Sequence, residues 1–153
     1  MLTAGRLLFA TLAVLVFIVD RVTKALVVAN VPIGTEQQVL PHVWITNTEN
    51  AGAAFGVAQG GTLLLPFAIG STLVAIGLVV YVVRTPVSPW VGTLLGLILG
   101  GTVGNGYDRL FLRTVTDFVA THVWPVFNVA DSAITVGVGL LLVGYLVRSR
   151  SAD

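Results

Sequence analysis

The side chains in this sequence that could do chemistry are carboxyl and carboxamide groups at the ends of its apolar stretches. Two basic residues accompany them, and the full set is Asp20, Lys24, Asn50, Asn105, Asp108, Arg109, Asp117, Asn128 and Asp131. Two carboxyl groups forced close together can share one proton, so that one activates a water molecule while the other protonates a substrate carbonyl. The supply of acids therefore indicates the chemistry of an aspartyl peptidase.

Other hydrolytic chemistries lack the residues that they need. The chain has no cysteine, and its two histidines, His42 and His122, do not form an HExxH pattern, which excludes a thiolate nucleophile and a standard zinc hydrolase. A serine peptidase needs a base beside its serine, and Lys24 could serve Ser132 in that role. Asp20 lies one helical turn before Lys24, however, so the lysine already has an ion-pair partner.

The composition places these residues in a lipid bilayer. Of the 153 residues, 56% are hydrophobic and 10% are charged, and the mean hydropathy is +0.95. Four segments, approximately residues 7–29, 62–83, 88–107 and 126–147, are long enough to cross about 30 Å of hydrocarbon. The sequence thus predicts an all-α integral membrane protein, a four-transmembrane-helix bundle that forms a single domain over residues 1–153.

The ends of these segments predict the orientation of the bundle. The first apolar run ends in Asp20-Arg21 and has no small-x-small cleavage site, so we expect an uncleaved span and not a secretory signal. An even number of spans puts both termini on one side. Lysine and arginine divide equally between the sides, and the acids gather opposite the termini, which favours cytoplasmic termini. A net charge of +1 without a basic cluster argues against a nucleic-acid partner.

In this arrangement the polar residues meet at one face of the membrane. An ionisable group at membrane depth costs about 2.5–3.5 kcal/mol, and such groups are retained mostly where they pair or take part in function. The cluster is therefore a predicted functional site. A small transporter or channel, whose acids relay protons or bind a cation, is the alternative from another class, although we see no internal repeat of the kind that transporters often have.

Two further patterns concern the packing and the connections. Gly92, Gly96, Gly100 and Gly104 recur every four residues in the third segment, which predicts a helix face that a neighbouring backbone can approach closely. Residues 43–46 and 114–119 are rich in β-branched side chains and predict small β-rich elements in the extracytoplasmic loops.

Five short blocks, taken together, resemble the signature of a known family. In order they are Asp20-Arg-Val-Thr-Lys24, Asn50-Ala-Gly-Ala-Ala-Phe55, Gly104-Asn-Gly-Tyr-Asp-Arg109, Val115-Thr-Asp117-Phe and Phe127-Asn-Val-Ala-Asp131. They resemble signal peptidase II, the bacterial lipoprotein signal peptidase, over nearly the whole chain. The third block departs from the family pattern, in which larger aliphatic residues usually stand between the Asn and the Asp.

The resemblance implies roles for individual residues. It identifies Asp117, in a loop, and Asp131, just inside the fourth span, as the catalytic pair. The substrate-binding or supporting residues that it implies are Asp20, Lys24, Asn50, Gly52, Asn105, Asp108, Arg109 and Asn128.

Simpler structural roles stay open for the same residues. Asp131 could be a helix-start carboxylate, Asp117 a solvated loop charge, and the asparagines helix caps. Asp20 and Lys24 could be an ion pair that fixes the end of the first span, and Asp108 and Arg109 could tie the third span to the loops.

The resemblance also implies a substrate and a location. The substrate is a prolipoprotein whose cysteine already carries diacylglycerol, and the enzyme removes the signal peptide by cutting before that cysteine. The location is the bacterial cytoplasmic (inner) membrane, with the active site towards its outer face. Membrane lipid is the other expected partner, and neither a metal, another cofactor nor an obligate protein partner is implied.

Overall fold

The computed structural model describes residues 3–50 and 64–150, and within these ranges the chain forms four α-helices and a three-stranded antiparallel sheet. In chain order the elements are α1 (Ala4–Asn30), β1 (Glu36–Leu40), β2 (Val43–Asn50), α2 (Leu64–Arg84), α3 (Pro89–Tyr107), a π-helical turn (Asp108–Leu112), β3 (Val115–Ala120) and α4 (Val129–Arg150). The protein is therefore mostly helical with a small sheet.

Local sequence explains where the helices begin and how the first two are joined. The hydroxyls of Thr3 and Ser88 accept hydrogen bonds from backbone amides in the first turns of α1 and α3, and Pro89 follows Ser88 where a proline fits a helix start. The Arg6 guanidinium donates to the carbonyl oxygens of Val82, at 3.0 Å, and Val83, at 2.7 Å. A cation at these unsatisfied carbonyls stabilises the end of α2 and fixes it to the start of α1.

The predicted segments match these helices closely, with one shift at α4. The predicted start of the second segment at residue 62 lies outside the described residues. The fourth helix was predicted from residue 126 but begins at Val129, because Phe127 pairs with β3 instead: its N–H donates to the Val119 carbonyl at 3.1 Å and its carbonyl accepts from the Val119 N–H at 2.8 Å. Helix α3 runs unbroken through Gly106 to Tyr107.

The surface of the helices is apolar. In the described part of the chain, α2 and α4 are long and apolar enough to cross a bilayer, with mean hydropathies of 2.2 and 1.8, and most of their side chains face outward. Helix α1 carries several charged residues and α3 is rich in glycine, so these two do not meet the same criterion. Four crossings therefore stay a prediction, while the large exposed apolar area itself indicates a lipid environment.

Helix α3 lies against the other three helices. A Cβ added to Gly96 would stand 2.7 Å from the Phe9 carbonyl oxygen, and one added to Gly100 would stand 2.7 Å from the Ala13 carbonyl oxygen. The glycine face predicted from sequence is thus confirmed as the contact with α1. The apolar core of the bundle is a cluster of buried side chains from α1, α2 and α3, among them Phe9, Ala13, Val82 and Leu95.

The sheet joins the two long connections at one end of the helices. Strand β2 pairs with β1 on one side and with β3 on the other, with Thr48 opposite Asp117 and Asn50 opposite Val115. Phe118 packs on Val27 at the end of α1, which fixes the sheet to the bundle. The sequence predicted β2 and β3 but missed β1, whose five residues are all exposed and include no regular apolar alternation.

The close packing of α1 on α3 predicts a specific response to one methyl group. Gly100→Ala should lower stability by about 1–3 kcal/mol, because the added Cβ meets backbone and the Val16 side chain at 2.7 Å. Gly77→Ala in α2 is the matched control, since nothing lies within 4 Å of its Cβ position, and it should be neutral or stabilising by up to about 1 kcal/mol. Thermal melts in detergent test this, and equal melting of the two variants would contradict the packing.

Candidate active site

Two aspartates from different elements meet through one asparagine. Asp117 lies on β3 and Asp131 in the first turn of α4. Asn128 donates from Nδ2 to Asp117 Oδ1 at 2.7 Å and from its backbone N–H to Asp131 Oδ2 at 3.2 Å. The two carboxyl groups that the family resemblance implies are thus bonded to the same asparagine, a connection that their separation in sequence could not establish.

The same asparagine caps α4. Its Oδ1 accepts a hydrogen bond from the Asp131 N–H at 2.9 Å, while Asp131 accepts from the Asn128 N–H, so the two side chains satisfy each other's backbone amides. This reciprocal arrangement is a capping box. Asn128 and Asp131 are therefore helix-start residues, as the simpler structural interpretation predicted. The same hydrogen bonds orient the Asp131 carboxyl group.

Two further asparagines donate to the aspartates. Asn50, at the end of β2, donates from Nδ2 to Asp117 Oδ2 at 3.0 Å. Asn105, near the end of α3, donates from Nδ2 to Asp131 Oδ1 at 2.7 Å and accepts at Oδ1 from Asn128 Nδ2 at 3.1 Å. Each carboxyl group is thus held at both of its oxygens by N–H donors.

A buried ionic cluster lies behind this pair. Lys24 Nζ is 2.8 Å from Asp20 Oδ2 and 2.7 Å from Asp108 Oδ2, and it donates to Asn105 Oδ1 at 2.9 Å. Arg21 forms a second ion pair with Asp108. Lys24 is 1% exposed and both acids are 0% exposed, so these charges depend on one another.

Asp20 also reaches the start of α4. Its Oδ1 accepts from the Ala130 N–H at 3.0 Å, which satisfies one of the free amides of the first helical turn. The predicted i, i+4 pair of Asp20 and Lys24 is therefore part of a larger connection between α1, α3 and α4.

Arg109 lies on the side of the aspartates, in the π-helical turn. Its guanidinium interacts electrostatically with Asp131, Asp117 and Asp108, and it stands 5.5 Å from the centre of the Phe67 ring. It also donates to the Asn105 carbonyl at 3.4 Å. A cation in this position offsets part of the negative charge of the acids.

Burial dominates the acidity of Asp117, which is 4% exposed. Loss of hydration raises the pKa of its carboxyl group from 3.8 to about 6, opposed by the hydrogen bonds from Asn50 and Asn128 and reinforced by the charge of Asp131. The group therefore carries a proton at a pH where an ordinary carboxyl would be ionised.

Ser132 and Lys24, the alternative nucleophile and base, are each bonded to other groups. Ser132 Oγ donates to the Asn128 carbonyl at 3.0 Å, and Lys24 is engaged with acids and an amide as described above. His122 pairs with Glu36 at 2.9 Å. Among residues 3–50 and 64–150, no group of three or more His, Asp or Glu side chains is arranged to hold a metal ion.

Some contacts could not be anticipated from the sequence, and one expected residue cannot be placed. The pairing of Arg21 with Asp108, the bond from Ala130 to Asp20 and the 3.3 Å bond from Asn128 Nδ2 to the Thr116 carbonyl all join distant elements. The sequence signal for these contacts was that Arg21 and Lys24, three residues apart, lie on the same face of a helix. Gly52 lies outside the described residues.

Comparison with known proteins agrees with the short sequence blocks. A family model described as signal peptidase (SPase) II matches residues 12–147. The lipoprotein signal peptidase of Anoxybacillus flavithermus is 40% identical over 149 residues, covering 94% of this chain and 88% of the relative. That of Halalkalibacterium halodurans is 40% identical over 152 residues, covering 95% and 96%, and that of Desulfitobacterium hafniense is 43% identical over 140 residues, covering 89% and 91%.

Solved structures agree as well. One described as a bacterial membrane enzyme determined by the in meso method is 31% identical, with a TM-score of 0.86 over 95% of this chain and 91% of that one. A second with the same description is 33% identical, with a TM-score of 0.80 over 90% and 92%. The family model and these relatives cover nearly the entire chain, and we conclude that it belongs to the signal peptidase II family of membrane peptidases.

Proposed function

We propose that this chain is an intramembrane aspartyl endopeptidase that removes the signal peptide from diacylglyceryl-modified prolipoproteins, cutting before the lipidated cysteine. The observation that carries the proposal is the pair of Asp117 and Asp131, joined by Asn128 and each held by amide donors. The names of the relatives, lipoprotein signal peptidases, support the prolipoprotein as substrate.

The surroundings of the two aspartates divide the labour between them. Asp131 sits in the first turn of α4, where the helix N-terminus and the Asn128 N–H favour a negative charge. Asp117 is the more buried carboxyl group, and burial raises its pKa. Asp131 is accordingly the general base and Asp117 the general acid.

The reaction then follows with protons in balance. Asp131 takes a proton from water as its oxygen attacks the scissile carbonyl carbon, and Asp117 gives its proton to the carbonyl oxygen, which yields a neutral geminal diol. As the C–N bond breaks, the proton on Asp131 passes to the leaving nitrogen and a diol hydroxyl returns its proton to Asp117. Both side chains end in their starting protonation states, and no metal or organic cofactor takes part.

The membrane supplies the substrate in this proposal. All four helices cross the bilayer, the termini lie in the cytoplasm, and the sheet and the aspartates lie towards the outer face of the bacterial cytoplasmic membrane. A substrate held by acyl chains and an apolar signal helix then arrives laterally through lipid. The apolar outward faces of α2 and α4 suit that approach.

The division of labour predicts the effect of neutralising either carboxyl group. Asp117→Asn and Asp131→Asn should each lower single-turnover cleavage of a lipidated substrate by about 1,000-fold or more, because an amide can neither accept nor give the proton. Binding of a non-cleavable lipopeptide and thermal melting should change little, since the shape is nearly kept.

Two control variants separate chemistry from charge and folding. Glu49→Gln removes an exposed carboxylate of β2 and should cleave normally. Asp108→Asn should lower the melting temperature more than the turnover of folded enzyme, because Asp108 is ion-paired to Lys24 and Arg21. Substantial turnover by folded Asp117→Asn or Asp131→Asn would refute the aspartyl mechanism.

The raised pKa of Asp117 predicts the alkaline side of the pH profile. The active form holds Asp117 protonated, so kcat/KM should fall as the pH rises through about 6, the pKa of the free enzyme. Asn50→Ala removes a donor that favours the ionised form, and it should move this midpoint upward by about one pH unit. A midpoint that stays in place in Asn50→Ala, or moves in Glu49→Gln, would contradict the assignment of the acid.

The proposed topology can be tested directly because the chain has no cysteine. Thr48→Cys on β2 and Ser149→Cys near the end of α4 introduce single thiols at exposed positions. In intact cells a membrane-impermeant maleimide should label the first and spare the second until the membrane is opened. Labelling of the second thiol and not the first in intact cells would show that the proposed orientation is wrong.

A further inference from the structure

Lys24 is a buried cation that does not contact either aspartate of the pair, yet it contacts the residue that holds one of them. It is the only lysine of the chain. Its ammonium lies 2.8 Å from Asp20 Oδ2 and 2.7 Å from Asp108 Oδ2, and it donates to Asn105 Oδ1 at 2.9 Å. An ammonium has three donors, so the two acids can balance its charge while one N–H remains for the Asn105 amide oxygen.

This bond determines which way the Asn105 amide faces. An ammonium has donors and no acceptor, so the group that faces Lys24 has to be the amide oxygen. The NH₂ group then points to Asp131 Oδ1, to which it donates at 2.7 Å. The bond from Asn128 Nδ2 to the same Asn105 oxygen agrees with this orientation. With the amide reversed, Asn105 would turn an oxygen towards the Asp131 carboxylate.

We propose that Lys24 is a positioning residue of the peptidase reaction, which acts by holding the Asn105 amide in the orientation that donates to Asp131. The inference rests on the proposed role of Asp131 as the base. The positive charge of Lys24 has a second effect. It lowers the pKa of Asp117, whereas burial raises it. Because Lys24 is 1% exposed, substrate does not reach it, and its influence passes through Asn105 and through space.

The first test removes the hydrogen bond from Lys24 to Asn105 without leaving an unpaired charge. Lys24→Met combined with Asp20→Asn keeps the cluster neutral, and the new amide oxygen at position 20 can still accept from Ala130. We expect kcat to fall by about 10-fold or more and lipopeptide affinity to stay within about 3-fold. The alkaline limb of the pH–rate profile should move to higher pH, because Lys24 lowers the pKa of Asp117. A folded variant with the wild-type kcat would overturn the proposal.

A second pair of substitutions separates positioning from stability. Arg21→Met with Asp108→Asn removes the ion pairs that Asp108 forms with Arg21 and Lys24, and it leaves Asp20 and the bond between Lys24 and Asn105 in place. It should lower the melting temperature more than it lowers the kcat of folded enzyme. An equal loss of kcat in both double variants would show that the bond from Lys24 to Asn105 has no role of its own, and would overturn the positioning role.

A polar replacement gives a rescue. Lys24→Gln with Asp20→Asn keeps an N–H donor for Asn105, so it should recover much of the kcat lost in the Met variant. If the Met variant does not fold, the Gln variant decides alone, and a folded Gln variant that has lost activity would overturn the proposal. Failure of the proposed function would look different, because Asp131→Asn would then cleave normally.

Discussion

The pairing of buried charges behind the two aspartates is the constraint on which the rest of this structure depends. An unpaired ammonium or carboxylate inside an apolar bundle is very costly, so Lys24, Asp20 and Asp108 have to remain together. They come from α1 and from the end of α3, and Asp20 also binds the first turn of α4 through Ala130. Helices α1, α3 and α4 are thereby held in one arrangement, and Asp131, the proposed base, lies in the first turn of α4.

Structural and chemical roles coincide in this site. Asn128 and Asp131 form the capping box of α4, and the hydrogen bonds that satisfy the free amides of the helix also orient the proposed base. Asn128 then reaches Asp117 with its side-chain amide. In the sequence, helix capping and a role in the site are alternative interpretations of Asn128 and Asp131. In the structure the capping bonds are also the bonds that orient the Asp131 carboxyl group, so the two roles are compatible.

Local patterns in the sequence were enough for the helices and for two of the strands, because apolar length and β-branched runs are local properties. Strand β1 was missed because Glu36–Leu40 is exposed and pairs only as an edge of β2, and the start of α4 was placed three residues early because Phe127 pairs with Val119. Residue types and the family blocks predicted which residues belong to the candidate site. They could not reveal that Asn128 joins the aspartates, since that contact depends on how β3 and α4 pack.

The glycine face of α3 and the ionic cluster are parts of one contact. Gly96 and Gly100 let α3 approach the backbone of α1, and a Cβ at Gly104 would stand 2.7 Å from Asp20 Oδ2. Asn105 is the next residue, so the same close approach brings its oxygen within 2.9 Å of Lys24. A wider separation of α1 and α3 would stretch that bond before it disturbed the apolar core, because a hydrogen bond weakens steeply with distance and angle. The packing of small residues in the bundle therefore sets the geometry of the aspartates at its end.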